Sequence, residues 1–295
     1  MKPEPRNVSP AFPQFSEITP ALRAWMRTQQ ASGFTANEIM QGLVEAGWSD
    51  AVVAHLMSLP QAKPLAAAAS AARASTDQRM PWPGLAGERL VLDAGDCEVR
   101  ASLVLREPAL VVLDDFLSED ECRALVEQAA PRMTRSLTVD LQTGGEATHQ
   151  SRTSQGMFFE RGESALISRI EARIAHLLDW PVQNGEGLQV LRYEAGAEYL
   201  PHFDYFDPAA PGTPAILERG GQRVATLIMY LHEPEAGGAT VFADAALSVL
   251  PKRGSAVFFS YSQAHPDSLS LHGGAPVLAG EKWIATKWLR ERAFF

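Results

Sequence analysis

After Pro181 the sequence consists mainly of short apolar runs rich in β-branched and aromatic residues. Turn-forming residues separate these runs, most clearly Gly237-Gly238, the segment 251–254 and Gly273-Gly274. The candidate strands are Leu188–Tyr193, Arg223–Leu231, Ala239–Phe242, Leu247–Leu250, Ser255–Tyr261 and Trp283–Arg290. Short strands at such even spacing are typical of a β-sandwich or a jelly-roll barrel.

The preceding part of the chain adds strands and two helices to this pattern. An apolar run at Leu110–Asp114 predicts a buried strand, and Ser118 and Glu121 follow it with the spacing of a capping box. This box predicts a helix to about Gln128, and apolar residues at helical spacing predict another over Ser164–Leu178. We therefore expect an α+β domain whose body is a β-sandwich or a jelly roll (double-stranded β-helix), backed by helices.

The segment between the two helices, Pro131 to Arg161, is polar and contains Gly and Thr. We interpret it as a long flexible hairpin loop. Loops of this length are uncommon in compact domains unless they serve a function, so this segment is a candidate for binding a substrate.

The N-terminal part of the chain differs from the rest in composition. We expect a flexible arm over residues 1–17, a small three-helix module over 18–59, an Ala- and Pro-rich linker over 60–84 and the jelly-roll domain over 85–295. A three-helix unit of this size can bury only a marginal core. It is either a module that binds a protein partner or a structural appendage, and the sequence leaves both alternatives open.

Composition excludes several classes of function. A formal net charge of −9 and a pI near 5.3 argue against a nucleic-acid partner, because neutralising phosphates requires clustered Lys and Arg. We find no long apolar run for a membrane span and no secretory leader, so we expect a cytoplasmic protein with no membrane association. Two cysteines, Cys97 and Cys122, are too few for a disulfide framework or a cysteine-rich zinc site.

One short motif points to a metal. His202 and Asp204 lie two residues apart in an extended run, so their side chains should share one face of a strand. His272, near the end of the chain, can supply a third ligand. Two histidines and one carboxylate form the facial triad that holds Fe(II) with open positions. The two-residue spacing alone is weak evidence, since most histidines in proteins have structural roles.

Longer motifs carry a family resemblance. Over about residues 108–292, and in the family's order, the chain contains LVVLDDFLSEDECRALVE, SRTSQGMFF, LRYEAGAEYLPHFDYF, RVATLIMYLHEPEAGGATVF, LPKRGSAVFFSY and LHGGAPVLAGEKWIATKWLRE. This series resembles the prolyl 4-hydroxylase branch of the Fe(II)- and 2-oxoglutarate-dependent oxygenases.

The resemblance implies a role for individual residues. The iron ligands would be His202, Asp204 and His272, and Lys282 would bind the distal carboxylate of 2-oxoglutarate. The remaining candidates are Tyr193, Thr226 and Trp288 on the co-substrate side, and Tyr199, Arg152 and Ser154 on the substrate side. Strand alternation supports Trp288, because Lys282, Ile284, Thr286 and Trp288 share one face of a strand.

The implied activity is hydroxylation of a prolyl residue in a protein or peptide. Fe(II), 2-oxoglutarate and O2 would be required, ascorbate is expected as reductant, and succinate and CO2 would be released. Two alternatives stay open. The same chemistry could act on a free amino acid or small metabolite, or the jelly roll could be a peptide-binding or sensing protein with little turnover.

Overall fold

The computed structural model describes residues 80–85, 89–135, 138–139, 146–147 and 154–295. The predicted N-terminal arm, the predicted three-helix module and most of the predicted linker lie outside the described residues. The same holds for Arg152, one of the substrate-side candidates.

The described residues form a domain of short strands with few helices. The helices are α1 (Glu119–Ala129), α2 (Ala165–Leu178) and α3 (Thr213–Glu218). The strands before α2 are β1 (Val91–Asp93), β2 (Glu98–Leu105), β3 (Ala109–Asp114), β4 (Thr134–Arg135), β5 (Thr138–Val139), β6 (Glu146–Ala147) and β7 (Gln155–Phe159). The strands after α2 are β8 (Leu188–Tyr193), β9 (Tyr199–His202), β10 (Arg223–His232), β11 (Ala236–Gly237), β12 (Thr240–Phe242), β13 (Leu247–Val249), β14 (Ala256–Ser260), β15 (His272–Gly274), β16 (Val277–Ala279) and β17 (Lys282–Arg290).

Two antiparallel sheets form the body of the domain. The large sheet has nine strands in the order β1-β2-β3-β14-β10-β17-β8-β7-β4, and the small sheet has four in the order β13-β12-β15-β9. Two further pairs, β11 with β16 and β5 with β6, lie beside them. This arrangement confirms the predicted jelly roll with short strands, and the predicted strands after Pro181 agree with the observed ones to within one or two residues.

The central strand β10 explains how the two hydrophobic cores are separated. Its side chains alternate, so Leu227 and Met229 belong to the core between the large sheet and the helices, while Ile228 and Tyr230 belong to the core between the two sheets. All but the last residue of β10 is buried. A strand covered on both faces is expected to be apolar throughout rather than alternating.

Helices α1 and α2 form where the capping residues predict them. The Ser118 hydroxyl accepts a hydrogen bond from the Glu121 amide, and the Glu121 carboxylate accepts one from the Ser118 amide, which completes the predicted capping box. Ser164 caps α2 through the Ile167 amide. Both helices bury their apolar side chains in the core behind the large sheet.

The interpretation of 131–161 as a loop is wrong for its last part. Residues Gln155–Phe159 form β7, which pairs with β8 along its length, from Gln155 opposite Arg192 to Phe159 opposite Leu188. In this strand Met157 and Phe159 are buried in the core behind the large sheet, whereas Phe158, which points to the opposite face, is exposed.

The end of the predicted linker packs on the domain. Met80, Trp82 and Leu85 contact the core behind the large sheet, and the Trp82 ring meets Phe258 of β14 edge to face. Within the part of the chain that the structure describes, no helix has the length and apolar character needed to cross a bilayer.

A buried ion pair joins α2 to the large sheet and gives a test of this packing. The Lys287 Nζ lies 2.5 Å from Glu171 Oε1, and both side chains are 2% exposed. We expect Glu171→Gln to lower the free energy of unfolding by about 3–5 kcal/mol, because it leaves a buried ammonium without its counter-ion. The double variant Glu171→Leu/Lys287→Met should recover most of this loss, because it removes both charges.

Denaturant unfolding measures both values. The matched control is Asp120→Asn, which breaks the exposed pair between Asp120 and Arg123 and should cost less than about 1 kcal/mol. A loss for Glu171→Gln no larger than that of the control would contradict the prediction.

Candidate active site

The three predicted metal ligands meet between the two sheets. His202 at the end of β9 and His272 at the start of β15 are direct partners across the small sheet. The Nε2 atoms of His202 and His272 lie 3.5 Å from Asp204 Oδ1 and Oδ2 respectively. Within the described ranges these three residues form a group whose ligand atoms all lie within 4.8 Å of one another. Their spacing suits one metal ion.

The hydrogen bonds of the two imidazoles prepare them as ligands. His202 Nδ1 lies 2.9 Å from the Leu200 carbonyl oxygen, and His272 Nδ1 lies 3.0 Å from the Ser270 carbonyl oxygen. Because a carbonyl oxygen only accepts, each Nδ1 carries the hydrogen and donates it. The lone pair of each ring is therefore on Nε2, which faces Asp204, and the ring orientation is fixed by the backbone.

The protonation states of the site also suit a cation. Burial lowers the pKa of His272 to about 4, so its ring is neutral near pH 7. Burial opposes the ionisation of Asp204, but His272, His202 and Arg223 outweigh it and hold the pKa of this carboxyl well below its usual range. One carboxylate and two imidazoles are the donor set expected for Fe(II), so the residues present fit this ion.

The position of Asp204 differs from the expectation that it shares a strand face with His202. Strand β9 ends at His202, and Asp204 lies in the bend that follows. Two side chains of β10 hold it there. The Thr226 hydroxyl donates to Asp204 Oδ2 over 2.7 Å, and Arg223 Nη1 donates to the Asp204 carbonyl oxygen over 3.3 Å. Thr226 was expected to contact the co-substrate, and the structure instead places its hydroxyl against the carboxylate.

Arg223 belongs to a buried ionic cluster that the sequence analysis missed. It forms two hydrogen bonds of 2.7 and 2.8 Å with Glu186, and Arg290 donates a third to the same carboxylate over 3.0 Å. The Arg223 guanidinium also lies over the Trp288 ring, 4.0 Å from its centre. An arginine that opens a continuous apolar strand run was the available signal, since a buried arginine requires a fixed partner.

One cavity opens onto the metal site. Lys282, Ile284, Thr286 and Trp288 all line it, as expected from their alternation along β17. Its other lining residues are His202, Asp204, His272, Tyr193, Tyr199, Leu191, Ile228, Thr240, Gly273 and Gly274. The iron-ligand candidates and Lys282 therefore face the same space.

Lys282 is a buried cation beside two aromatic rings. It is 3% exposed, and its Nζ lies 5.6 Å from the centre of the Tyr193 ring and 5.7 Å from that of Tyr230. Among the described residues it forms no ion pair with a carboxylate. Burial lowers its pKa to about 8. An ammonium in this position can neutralise one end of an anionic molecule in the cavity.

Tyr193 and Tyr199, two of the remaining candidates, also line this cavity. Tyr193 is opposite Lys282 in the pairing of β8 with β17. Thr240, which the sequence analysis did not select, lines the cavity and accepts a hydrogen bond of 2.8 Å from the Tyr230 hydroxyl. Tyr199 stacks on His202 with 3.8 Å between ring centres, and Ser154 is buried just before β7.

The lowered pKa of Lys282 predicts proton uptake when 2-oxoglutarate binds. A dianion favours the charged form, so the uptake should be small near pH 7 and should approach one proton above pH 8, where the free amine is mostly neutral. Calorimetric titration of the metal-loaded chain under anaerobic conditions, in buffers of different ionisation enthalpy, measures this uptake.

The variant Lys282→Met should weaken 2-oxoglutarate binding by about 10–100-fold, the value of one charge-assisted hydrogen bond. Lys282→Arg is the matched control, because it keeps the charge at every accessible pH and should bind without the pH-dependent uptake. Equal proton uptake by the wild type at pH 7 and pH 9 would rule out Lys282 as its source.

Comparison with known proteins agrees with this site. The family described as the 2OG-Fe(II) oxygenase superfamily matches residues 188–290. Prolyl 4-hydroxylase 5 of Arabidopsis thaliana is 40% identical over 223 residues, which cover 68% of this chain and 75% of that protein. Prolyl 4-hydroxylase 1 of the same plant is 42% identical over 212 residues, covering 66% of this chain and 73% of that protein.

Among solved structures, the viral collagen prolyl hydroxylase of Paramecium Bursaria Chlorella virus-1 in its 2OG complex is 31% identical to this chain. The match has a TM-score of 0.48 and covers 61% of this chain and 95% of that protein. The sequence relatives and the matched family, together with the His-Asp-His site, show that the chain belongs to the prolyl 4-hydroxylase branch of the 2OG-Fe(II) oxygenase superfamily.

Proposed function

We propose that this protein is an Fe(II)- and 2-oxoglutarate-dependent dioxygenase that hydroxylates a prolyl residue in a protein or peptide. Succinate and CO2 are the co-products. The observation that carries this proposal is the placement of the His-Asp-His triad and the buried cation Lys282 on the walls of one cavity. The prolyl substrate is supported by the relatives, which are named as prolyl 4-hydroxylases.

Different residues bind the iron and the co-substrate at the two ends of the cavity. His202, Asp204 and His272 hold the iron, and the Lys282 ammonium binds the distal carboxylate of 2-oxoglutarate. Bound iron, together with 2-oxoglutarate and O2, supplies the oxidising power that inserts an oxygen atom into the substrate C–H bond. The apolar walls formed by Leu191, Ile228 and Ile284 exclude water, which strengthens the ion pair at Lys282.

Two aromatic side chains, Tyr199 and Trp288, line the cavity together with the metal-ligand candidates. Tyr199 covers one face of His202, so it limits the approach to the metal from that side. Trp288 is buried and lies opposite Thr226 in the strand pairing, next to the Asp204 position. Ser154 and Arg152 are further candidates for contacts with a peptide.

Three further parts of the proposal extend beyond the site. Ascorbate serves as the reductant that keeps iron in the Fe(II) state between turnovers. The N-terminal segment 18–59 binds a protein partner or the substrate protein. The enzyme acts in the cytoplasm, which is supported by its low cysteine content.

Turnover assays test the activity directly. With Fe(II), ascorbate, O2 and 2-oxoglutarate, the wild type should release succinate, and Asp204→Ala should reduce the rate to background because the charged ligand is lost. The control His232→Ala replaces an exposed histidine at the end of β10 and should retain wild-type turnover. No succinate from the wild type, with or without peptide, would contradict the proposed enzyme.

Mass spectrometry tests the substrate class. Prolyl peptides should gain one oxygen atom on proline in a 2-oxoglutarate-dependent reaction, and succinate should form in equal amount. If free amino acids or small metabolites gain the oxygen while prolyl peptides do not, the alternative substrate class is correct.

A further inference from the structure

The hydroxyl groups of Tyr261 and Thr226 form a series of hydrogen bonds that ends at the carboxylate of Asp204. Tyr261 directly follows β14, and its side chain is 3% exposed in the core between the two sheets. Its hydroxyl oxygen lies 3.1 Å from Thr226 Oγ1, which itself lies 2.7 Å from Asp204 Oδ2. Thr226 is fully buried. Hydrogen bonds in such a setting are strong, and leaving one of their groups unpaired is costly.

The chemistry of the groups fixes the direction of these hydrogen bonds. An ionised carboxylate only accepts, so the single hydrogen of the Thr226 hydroxyl is donated to Asp204. The Thr226 oxygen can then only accept from Tyr261, which must be the donor of the 3.1 Å bond. The Tyr261 hydroxyl therefore secures the orientation in which Thr226 donates to the ligand.

We propose that Tyr261 is a positioning residue for the iron ligand Asp204 and acts through Thr226. This inference rests on the proposed role of the triad in holding iron. The relay, meaning the hydrogen bonds from Tyr261 to Thr226 and from Thr226 to Asp204, holds Oδ2 and thereby fixes the rotation of the carboxylate. In this rotation each carboxylate oxygen lies 3.5 Å from the Nε2 atom of one of the two histidines. Such a relay is needed because Asp204 lies beyond the end of β9 and has no strand pairing of its own to hold it.

A similar pair of hydroxyls in the same core provides a matched control. The Tyr230 hydroxyl donates to Thr240 over 2.8 Å, but Thr240 lines the Lys282 end of the cavity and contacts no metal-ligand candidate through that bond. Removing the Tyr230 hydroxyl deletes a buried Tyr-to-Thr hydrogen bond of the same kind. It should therefore reproduce any general effect on folding without the specific effect on the metal.

The test is the metal affinity of the full-length chain. Anaerobic Fe(II) titration, and Co(II) titration followed by the visible absorption of the bound ion, should be compared for Thr226→Val, Tyr261→Phe and the double variant. We expect Thr226→Val to weaken binding by about 10–100-fold, the usual effect of removing a hydrogen-bond partner of a ligand. Tyr261→Phe should weaken it less, by about 3–10-fold, because Thr226 remains to donate.

Non-additivity distinguishes action through Thr226 from an independent packing role. Once Thr226 is valine, Tyr261 has no route to Asp204, so the double variant should bind metal as Thr226→Val alone does. Thr226→Ser should restore most of the affinity because it keeps the hydroxyl. The Co(II) spectrum should change in Tyr261→Phe and remain that of the wild type in Tyr230→Phe, while denaturant unfolding reports the stability of each variant.

Three results would overturn the proposal. Wild-type metal affinity and an unchanged Co(II) spectrum in Tyr261→Phe would show that the relay does not act on Asp204. A double variant whose loss equals the product of the two single losses would show an independent role for Tyr261. Failure of the wild type to bind either metal would remove the proposed iron site as well, which separates that outcome from the first two.

Discussion

The hydrogen bond from Thr226 to Asp204 is the contact on which the metal centre depends. The two histidines are placed by the pairing of β9 with β15, but Asp204 lies outside that pairing. It reaches the histidines because β10, at the middle of the large sheet, holds its carboxylate through Thr226 and its carbonyl through Arg223. The small sheet thus supplies the imidazoles and the large sheet positions the carboxylate, so the centre exists only where the two sheets face each other.

This arrangement places several charged side chains in an apolar interior. Some of them contact a side chain of opposite charge, and one does not among the described residues. Glu186 neutralises Arg223 and Arg290 through direct hydrogen bonds, as buried charges require. Lys282 has no such carboxylate among the described residues, and its pKa of about 8 records the cost of burial. The cavity therefore has a cation without a carboxylate partner among the described residues at one end and a set of metal ligands at the other. A molecule with a carboxylate at one end and a chelating group at the other matches both.

The sequence was sufficient to predict the main strands and helices and the three metal-ligand candidates. Strands β8 and β17 and helices α1 and α2 follow from local patterns in the sequence, which indicate which side chains share a face. The triad follows from the two-residue spacing of His202 and Asp204 together with the family resemblance, which identifies His272. Distances between elements do not follow from such patterns. The sequence could not show that β9 ends before Asp204, because the run HFDYF, residues 202–206, continues the aromatic-rich pattern of the strand.

The two threonines show the same limit at the level of single residues. Thr226 lies in β10, whose two faces are both buried, so the strand has no polar alternation that marks the face toward the site. Thr240 follows the Gly237-Gly238 turn, and only the folded structure shows that it lines the cavity. The cluster of Arg223, Glu186 and Arg290 unites residues from distant parts of the chain, and such pairing leaves no local signature.

The central claim is that one cavity holds both the iron and the 2-oxoglutarate. Anaerobic titration of the Fe(II)-loaded full-length chain with 2-oxoglutarate, followed by the visible charge-transfer absorption of the Fe(II) chelate, tests it most directly. A band that saturates at one equivalent of 2-oxoglutarate per protein is the result this structure predicts. A protein that binds Fe(II) tightly but develops no band at saturating 2-oxoglutarate would contradict it.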